Sequence, residues 1–264
     1  MTARCEWQCR NPAPAGGAQP RRRPLSEAGP QRIAVTGASG LVGRALSAFL
    51  AGGGHTVLRL VRSRPAGPEE VLWDPRGGGM EAAKLESLDA VVHLAGESIA
   101  SGRWTAARKR RILESRAEGT RFLCERLAAL EAPPRALVSA SAVGYYGNLP
   151  DGEATEESPA GEGFLPDVCK AWEEATQPAR SAGIRVVNLR IGVVLSAEGG
   201  ALARMLPAFR AGLGGRIGPG KQPVSWIALD DLVGVLHFCL FTPELSGPVN
   251  ATALAGRRFV PFTP

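Results

Sequence analysis

Residues 32–43 read RIAVTGASGLVG, a short apolar run followed by a turn that is rich in glycine. The run Ile33-Ala34-Val35 is typical of a buried strand, and the apolar positions between Leu41 and Leu50 recur with helical spacing. The triplet Gly52-Gly53-Gly54 ends that helix, and Thr56–Val61 has the composition of a second strand. Together these segments predict one βαβ unit.

The glycines of the turn have the spacing of a loop that binds a dinucleotide. Gly37 permits the tight turn, Gly40 lets the backbone approach a pyrophosphate, and Gly43 lets the helix pack closely on the sheet. The free N–H groups and the positive end of the helix attract phosphate. A strand before the loop and a helix after it strengthen this interpretation, although a glycine turn without a ligand is the alternative. The residues expected at the dinucleotide are Gly37, Ser39, Gly40, Leu41, Val42 and Gly43.

The end of the second predicted strand indicates which dinucleotide is preferred. An acidic residue at this place binds the ribose 2′-hydroxyl of NAD and repels a 2′-phosphate. Here the chain reads Arg62-Ser63-Arg64, which has no acid and offers two guanidinium groups and a hydroxyl. We therefore predict NADP(H), with Arg62 and Ser63 at the 2′-phosphate. The alternative is that these residues form only a solvated loop.

The remaining pattern alternates strands with helices of ordinary length. Strands are predicted at 90–94, 136–140 and 184–189, and helices at 105–130, 167–182, 202–210 and 229–241. Pro178 is expected to kink or end its helix. This alternation predicts an α/β fold of the Rossmann type, a doubly wound parallel sheet covered on both faces.

Composition and charge exclude several classes of function. No apolar run reaches the roughly 20 residues of a membrane-spanning helix, so no membrane association is expected. The net charge is +6, but six arginines and two glutamates in residues 1–32 account for +4 of it, which leaves little support for nucleic-acid binding. The five cysteines are scattered, without the spacing of a metal site or a disulfide framework. Reduced thiols and a cytoplasmic location are therefore expected.

Three regions are predicted along the chain. Residues 1–30 are rich in Pro, Gly, Ala and Arg and are expected to be a disordered extension or linker. An organelle-targeting segment is the alternative for these residues. Residues 31–253 are expected to form the NADP-binding domain, and residues 254–264 an irregular tail.

Several motifs resemble the extended short-chain dehydrogenase/reductases. They are the glycine loop, His93–Glu97 and Ser139–Gly147. A second set resembles the epimerase family proteins of the YfcH type, within the NAD-dependent epimerase/dehydratase superfamily, a group in which a human NADP-dependent oxidoreductase has been placed. This set comprises Arg103-Trp104-Thr105, Val168–Glu173, Gly212–Gly215 and Ser225–Asp231. The resemblance covers about residues 31–253.

The resemblance implies further cofactor contacts and a substrate region. Residues Leu94, Ala95, Gly96 and Glu97 would border the adenosine ribose and the nicotinamide side, and Gly192 and Val193 would border the nicotinamide. A charge at a helix N-terminus is the alternative role for Glu97. A small C-terminal region would close over the substrate. Because the family runs on for several tens of residues beyond Thr252, that region is expected to be truncated here.

The usual catalytic pair of this superfamily, a Tyr followed by a Lys four residues later, is absent. Four positions before Lys170 lies Pro166, which carries no proton, and the alternative register places Leu165 and Cys169 at the two positions. Three substitutes remain, which are Ser141 at the family's Ser position, Tyr145 or its neighbour Tyr146, and Lys170. Capping by the Ser and packing by the Tyr are the alternative roles.

Three functions are compatible with these residues. The leading hypothesis is an NADP-dependent oxidoreductase that moves a hydride between the nicotinamide and a small carbonyl compound or alcohol. The second is a regulatory protein that binds NADPH without turnover, and the third is a nucleotide-sugar epimerase. The expected partner is an unidentified small-molecule substrate. The resemblance further implies a second copy of the chain, because related proteins often pair through the helices that correspond to 105–130 and 167–182.

Overall fold

The computed structural model describes residues 29–99, 102–149, 153–215 and 223–253. Its strands are β1 (Arg32–Thr36), β2 (Thr56–Val61), β3 (Glu70–Asp74), β4 (Gly79–Met80), β5 (Ala90–His93), β6 (Ala136–Ala142), β7 (Arg185–Ile191), β8 (Val193–Ser196), β9 (Trp226–Ala228) and β10 (Gly247–Ala251). Its α-helices are α1 (Leu41–Gly52), α2 (Ala106–Ala128), α3 (Phe164–Glu174), α4 (Gln177–Ser181), α5 (Gly200–Arg210) and α6 (Leu229–Phe241). Short 3-10 helices cover Ala82–Leu85 and Val143–Tyr146.

Eight strands form the central sheet, in the order β10-β7-β6-β5-β1-β2-β3-β4. All neighbours are parallel except β3 and β4, and β8 pairs with β9 in a separate small sheet. Strand β1 lies between β2 and β5, so the strand order reverses at β1. In sheets of this kind a ligand binds outside the carboxyl ends of the strands at that point of reversal. The Rossmann-type fold predicted from the sequence is confirmed.

Helices cover both faces of the sheet and bury two apolar clusters. One cluster joins α1 and α6 to the sheet through residues such as Leu46, Leu50 and Leu236. The other joins α2 and α4 to the opposite face through residues such as Leu123 and Leu127. Within the described residues, no helix is both long enough and apolar enough to cross a membrane.

The helix predicted at 167–182 is wrong as a single element. The structure has α3 and α4 in its place, and α3 begins three residues earlier than predicted, at Phe164. The break follows Glu174, and the buried hydroxyl of Thr176 donates a hydrogen bond of 2.7 Å to the carbonyl of Glu173. Pro178 is near the start of α4, where its missing N–H costs nothing. The expected interruption near Pro178 is therefore confirmed.

Candidate functional site

The glycine loop lies between β1 and α1 and packs against the segment that follows β5. Gly37 has a φ of +67°, and a methyl group there would come within 3.0 Å of Leu94 and Ala95. The N–H of Gly40 donates to the carbonyl of Gly37 at 2.9 Å, and a methyl group on Gly43 would collide with that carbonyl. The first and third glycines are therefore required by the backbone itself.

The remaining loop residues differ in what they expose. Ser39 and Gly40 are exposed at the N-terminus of α1, where no acidic residue occupies the first turn. Leu41 lies beside Gly199 and Gly200, and Val42 packs partly against the apolar core. Ser39 and Gly40 therefore present the polar surface that can receive phosphate, whereas the side chains of Leu41 and Val42 pack on the protein.

A buried histidine ties the loop to β5. The Thr36 hydroxyl accepts hydrogen bonds from the N–H groups of Leu94 (3.0 Å) and Ala95 (3.1 Å), so its own proton goes to Nδ1 of His93 at 2.7 Å. Nε2 of His93 then donates to Thr120 on α2 at 2.9 Å. Because burial disfavours the charged ring, the pKa of His93 is lowered to about 4. The neutral ring fixes the two strand ends at the crevice.

Arg62 and Ser63 follow β2 directly and are exposed, as is Arg64. Within the described ranges, neither Arg62 nor Arg64 makes an ion pair. Arg59, three residues before Arg62 in β2, pairs with Glu70 at 3.4 Å. A further cation lies close to the loop, because Arg44 on α1 donates to the carbonyl of Ser39 at 3.0 Å. Sequence reasoning missed Arg44, although its position one residue after Gly43 was a usable signal.

Arg116 of α2 contacts the segment that follows β5. The guanidinium of Arg116 donates to the Glu97 carbonyl at 3.0 Å, and a methyl group on Gly96 would lie 3.3 Å from it. It also stacks over the Trp172 ring at 4.9 Å. Glu97 does not begin a helix, since α2 starts at Ala106, so the alternative of a helix N-terminal charge is wrong. Leu94 and Ala95 are half-buried, and Gly96 is exposed.

The polar centre of the site is a buried ion pair that the sequence did not reveal. Arg190, at the end of β7, binds Glu173 of α3 through Nε at 2.8 Å and through a second nitrogen at 2.9 Å. Ser141, at the end of β6, donates to the same Glu173 carboxylate at 2.7 Å. Burial opposes the charge on Arg190, but its hydrogen bonds with Glu173 and Tyr146 raise its pKa further above its usual value.

The two tyrosines after β6 have different surroundings. The Tyr146 hydroxyl accepts from Arg190 at 2.9 Å and donates to Asn250 of β10 at 2.7 Å, so it is committed to the protein. Tyr145 is half-buried, and its ring centroid lies 3.5 Å from the Arg190 guanidinium. Its hydroxyl has no hydrogen-bond partner among the described residues. Of the two phenols, Tyr145 is the one that can meet a substrate.

Lys170 is half-exposed and bonds to none of the groups around Arg190, although it interacts electrostatically with Tyr145. Its ammonium pairs with Asp167 at 2.8 Å, and this hydrogen bond raises the pKa of Lys170. Leu165 and Cys169 instead face Gly144, which precedes Tyr145. The two residues of the alternative register therefore lie next to the segment that follows β6. Burial raises the pKa of the Cys169 thiol to about 11, which makes it a poor nucleophile.

The residues after β7 serve mainly to join two sheets. Gly192 is buried, and a methyl group there would lie 2.9 Å from the Ser225 carbonyl. Its N–H donates to Ala251 at 3.0 Å, and the N–H of Val193 donates to Ser225 at 2.8 Å. Close backbone packing therefore explains Gly192, and the exposed Val193 side chain is the part that a ligand can reach.

Comparison with known proteins gives concordant results. The profile of the NAD dependent epimerase/dehydratase family matches residues 33–251. The chain is 48% identical over 231 residues to the epimerase family protein Mb2239 of Mycobacterium bovis, which covers 88% of this chain and 76% of that protein. It is 38% identical over 226 residues to the human epimerase family protein SDR39U1, which covers 84% and 74% of the two chains.

Two solved structures share the fold closely. The crystal structure of human SDR39U1 (isoform 2) with NADPH superposes with a TM-score of 0.77 at 36% identity and covers 85% of this chain and 75% of that one. A nucleoside-diphosphate sugar epimerase from Corynebacterium glutamicum gives 0.76 at 42% identity and covers 87% of this chain. The chain spans about half of that protein, or 48%. With the glycine loop at the strand reversal, these matches show that the chain belongs to the NAD-dependent epimerase/dehydratase family, as an atypical short-chain dehydrogenase/reductase without the Tyr–Lys pair.

Proposed function

We propose that this protein is an NADPH-dependent oxidoreductase that transfers a hydride between the nicotinamide and the carbonyl or alcohol carbon of a small substrate. The observation that carries the proposal is the place of Arg62 and Arg64. Both guanidinium groups follow β2, beside the glycine loop, and neither has an acidic partner within the described part of the chain. A 2′-phosphate would supply the missing negative charge. The human relative, solved with NADPH, supports the same preference.

The cofactor would lie along the carboxyl ends of β1, β5 and β7. We assign its pyrophosphate to the N-terminus of α1, its 2′-phosphate to Arg62 and Ser63, and its nicotinamide half to the segments after β5 and β7. When bound, the nicotinamide supplies or accepts the hydride. Besides Arg62 and Ser63, the residues proposed to bind the whole cofactor are Gly37, Ser39, Gly40, Leu41, Val42, Gly43, Leu94, Ala95, Gly96, Glu97, Gly192 and Val193.

The proton of the reaction is assigned to the Tyr145 hydroxyl. Reduction of a carbonyl leaves negative charge on oxygen, which a phenol can neutralise by giving up its proton. The Arg190 guanidinium, 3.5 Å from the ring centroid, stabilises the negative charge that then remains on the ring oxygen. The Ser141 hydroxyl donates a hydrogen bond to Glu173, so its oxygen can only accept, from the alcohol product once Tyr145 has given up its proton. Lys170, whose ammonium pairs with Asp167, is assigned no role in the proton transfer.

The test is NADPH consumption with a panel of small aldehydes and ketones, followed by the nicotinamide absorbance. We expect turnover with part of the panel and a loss of about 100-fold or more in kcat for Tyr145→Phe, the usual scale for removing a general acid. The Kd for NADPH should not change in this variant. Equal kcat in the wild type and in Tyr145→Phe would overturn the assignment of the proton donor.

A second function, NADPH binding without turnover, is favoured by one observation. Leu165 and Cys169, the residues of the alternative Tyr–Lys register, have no group for proton transfer at neutral pH and face Gly144 beside Tyr145. Tight NADPH binding with no consumption by any carbonyl compound would support this regulatory function over the oxidoreductase.

A further inference from the structure

An exposed apolar surface lies beside Tyr145. It consists of Ile99, Trp104, Phe164 and Leu165, here named the apolar rim. Ile99 is 44% exposed, Trp104 39% and Leu165 36%, whereas large apolar side chains of a folded domain are usually buried. Several such residues grouped at one place mark a binding surface more often than single ones do.

The apolar rim is held in a fixed arrangement. The indole N–H of Trp104 donates to the Ile99 carbonyl at 2.9 Å, which ties these two rim residues together. The Trp104 and Phe164 rings meet edge to face, with centroids 5.6 Å apart, and Lys109 packs over Phe164 at 5.2 Å. Because the indole N–H is already bonded, the four side chains offer a ligand apolar contact and no hydrogen-bond donor.

The apolar rim is continuous with the proposed reaction site. Leu165 lies against Gly144, where a methyl group would be 3.5 Å from its Cβ. Gly144 directly precedes Tyr145, and Ile99 follows the segment assigned to the nicotinamide half. A substrate whose reacting carbon is at Tyr145 would therefore extend its remaining atoms over the rim.

Of the charged groups next to the rim, the Lys109 ammonium lies over Phe164 at its exposed edge, whereas two others belong to the ion pair beside Tyr145. Arg190 and Glu173 bind each other, and their side chains are only 3% and 13% exposed. Their charges are satisfied within the protein, so they offer little to the hydroxyl or phosphate groups of a substrate. The hydroxyl groups of a sugar placed over Trp104 and Leu165 would meet no polar partner in these two side chains, which costs binding energy.

We propose that the apolar rim binds the non-reacting part of the substrate, and that this part is a hydrocarbon or aromatic group, not a nucleotide-linked sugar. The inference rests on the proposed function only in taking a carbonyl or alcohol as the reacting group. Affinity should then increase with the apolar surface of the ligand, because burial of each added methylene releases the same increment of free energy.

The test is calorimetric titration of the full chain, saturated with NADP⁺, with straight-chain methyl ketones from butanone to octanone. Turnover is not needed for this measurement. We expect the Kd to fall about fourfold for each added methylene and the heat-capacity change to be negative. UDP-glucose should not bind. Leu165→Ser and Trp104→Ala should weaken octanone binding, whereas Phe238→Ser, which removes an exposed apolar side chain of α6, should leave it unchanged.

Several outcomes would overturn the inference. They are a Kd that does not depend on chain length, a dependence that persists unchanged in Leu165→Ser, or tight binding of UDP-glucose. A dimer that dissociates in Leu165→Ser would show instead that a second copy covers the rim. Consumption of NADPH with small polar carbonyls but without chain-length dependence would contradict substrate binding at the rim and still support the oxidoreductase function. Chain-length-dependent binding without any NADPH consumption would support ligand binding at the rim and contradict the oxidoreductase function.

Discussion

Arg190 and Glu173 form a two-point ion pair, with nitrogen–oxygen distances of 2.8 and 2.9 Å, that joins the end of β7 to the last turn of α3. The same carboxylate accepts a hydrogen bond from the Ser141 hydroxyl, and the same guanidinium lies against the Tyr145 ring. The pair therefore sets the positions of both side chains to which we assign the substrate. It acts as a support for the site, and its loss should affect stability and activity together.

Removing one partner of this pair should destabilise the fold strongly. Glu173→Ala leaves a buried guanidinium without its carboxylate, which typically costs about 3–5 kcal/mol in the free energy of unfolding. The double variant Glu173→Leu/Arg190→Met should recover much of the loss, because no unpaired charge remains. Urea unfolding measures both. Asp167→Asn, which breaks an exposed pair on the same helix, is the control and should change stability little.

If Glu173→Ala lowered the free energy of unfolding as little as Asp167→Asn, the ion pair would not be a structural support. Failure of the double variant to recover stability would point instead to the hydrogen bonds with Ser141 and Tyr146 as the main contribution.

The third glycine of the loop should be intolerant of a side chain. Gly43→Ala places a methyl group against the Gly37 carbonyl, and overpacking of this kind costs about 1–3 kcal/mol. It should also weaken NADPH binding, because the loop must shift. Gly52→Ala, in the same helix and with open space around it, should instead stabilise the protein by about 0.5–1 kcal/mol. Thermal unfolding with and without NADPH separates the two. Equal behaviour of the two variants would contradict the close packing at Gly43.

His93 should make stability depend on pH in the mildly acidic range. Its pKa is lowered to about 4 in the folded protein, so between this value and the unfolded value of 6.5 only the unfolded chain takes up the proton. Stability is unaffected by His93 above pH 6.5 and falls as the pH drops below it, by about 1.4 kcal/mol per pH unit for one proton. Urea unfolding between pH 7.5 and 4.5 measures this slope. In His93→Gln the slope of the unfolding free energy against pH should fall by the amount that corresponds to one bound proton. An unchanged slope would show that other groups cause the pH dependence.

The first βαβ unit could be predicted because its signals are local. The apolar triplet before Gly37, the helical spacing after it and the glycines at 52–54 each act within a few residues. Strands β9 and β10 lack such signals, since β9 has only three residues and β10 begins Gly-Pro. They are fixed by pairing, as where β10 lies along β7 with Asn250 opposite Arg190. The start of α3 was missed because Pro166 suggests a break, although the first turn tolerates it.

The site was predictable only in part, for the same reason. The glycine loop and the arginines after β2 are each contiguous in sequence. Glu173 and Arg190 are 17 residues apart on different elements, and neither forms a motif, so only the packing of α3 on β7 reveals the pair. Tyr145 and Tyr146 are neighbours in sequence, and which one is committed to the protein depends on Asn250 more than 100 residues later.

We expect this chain to select NADPH through the arginines after β2, and a titration with NADPH and NADH measures that preference. Nicotinamide fluorescence should show tighter binding of NADPH, and Arg62→Ala should weaken NADPH about tenfold or more, the usual scale of a charge-assisted hydrogen bond, while leaving NADH unchanged. Arg59→Ala, which removes the paired arginine of β2, is the matched control and should alter neither affinity. Equal affinity for the two nucleotides, or an equal loss of affinity for both in Arg62→Ala, would show that the arginines after β2 do not select the cofactor.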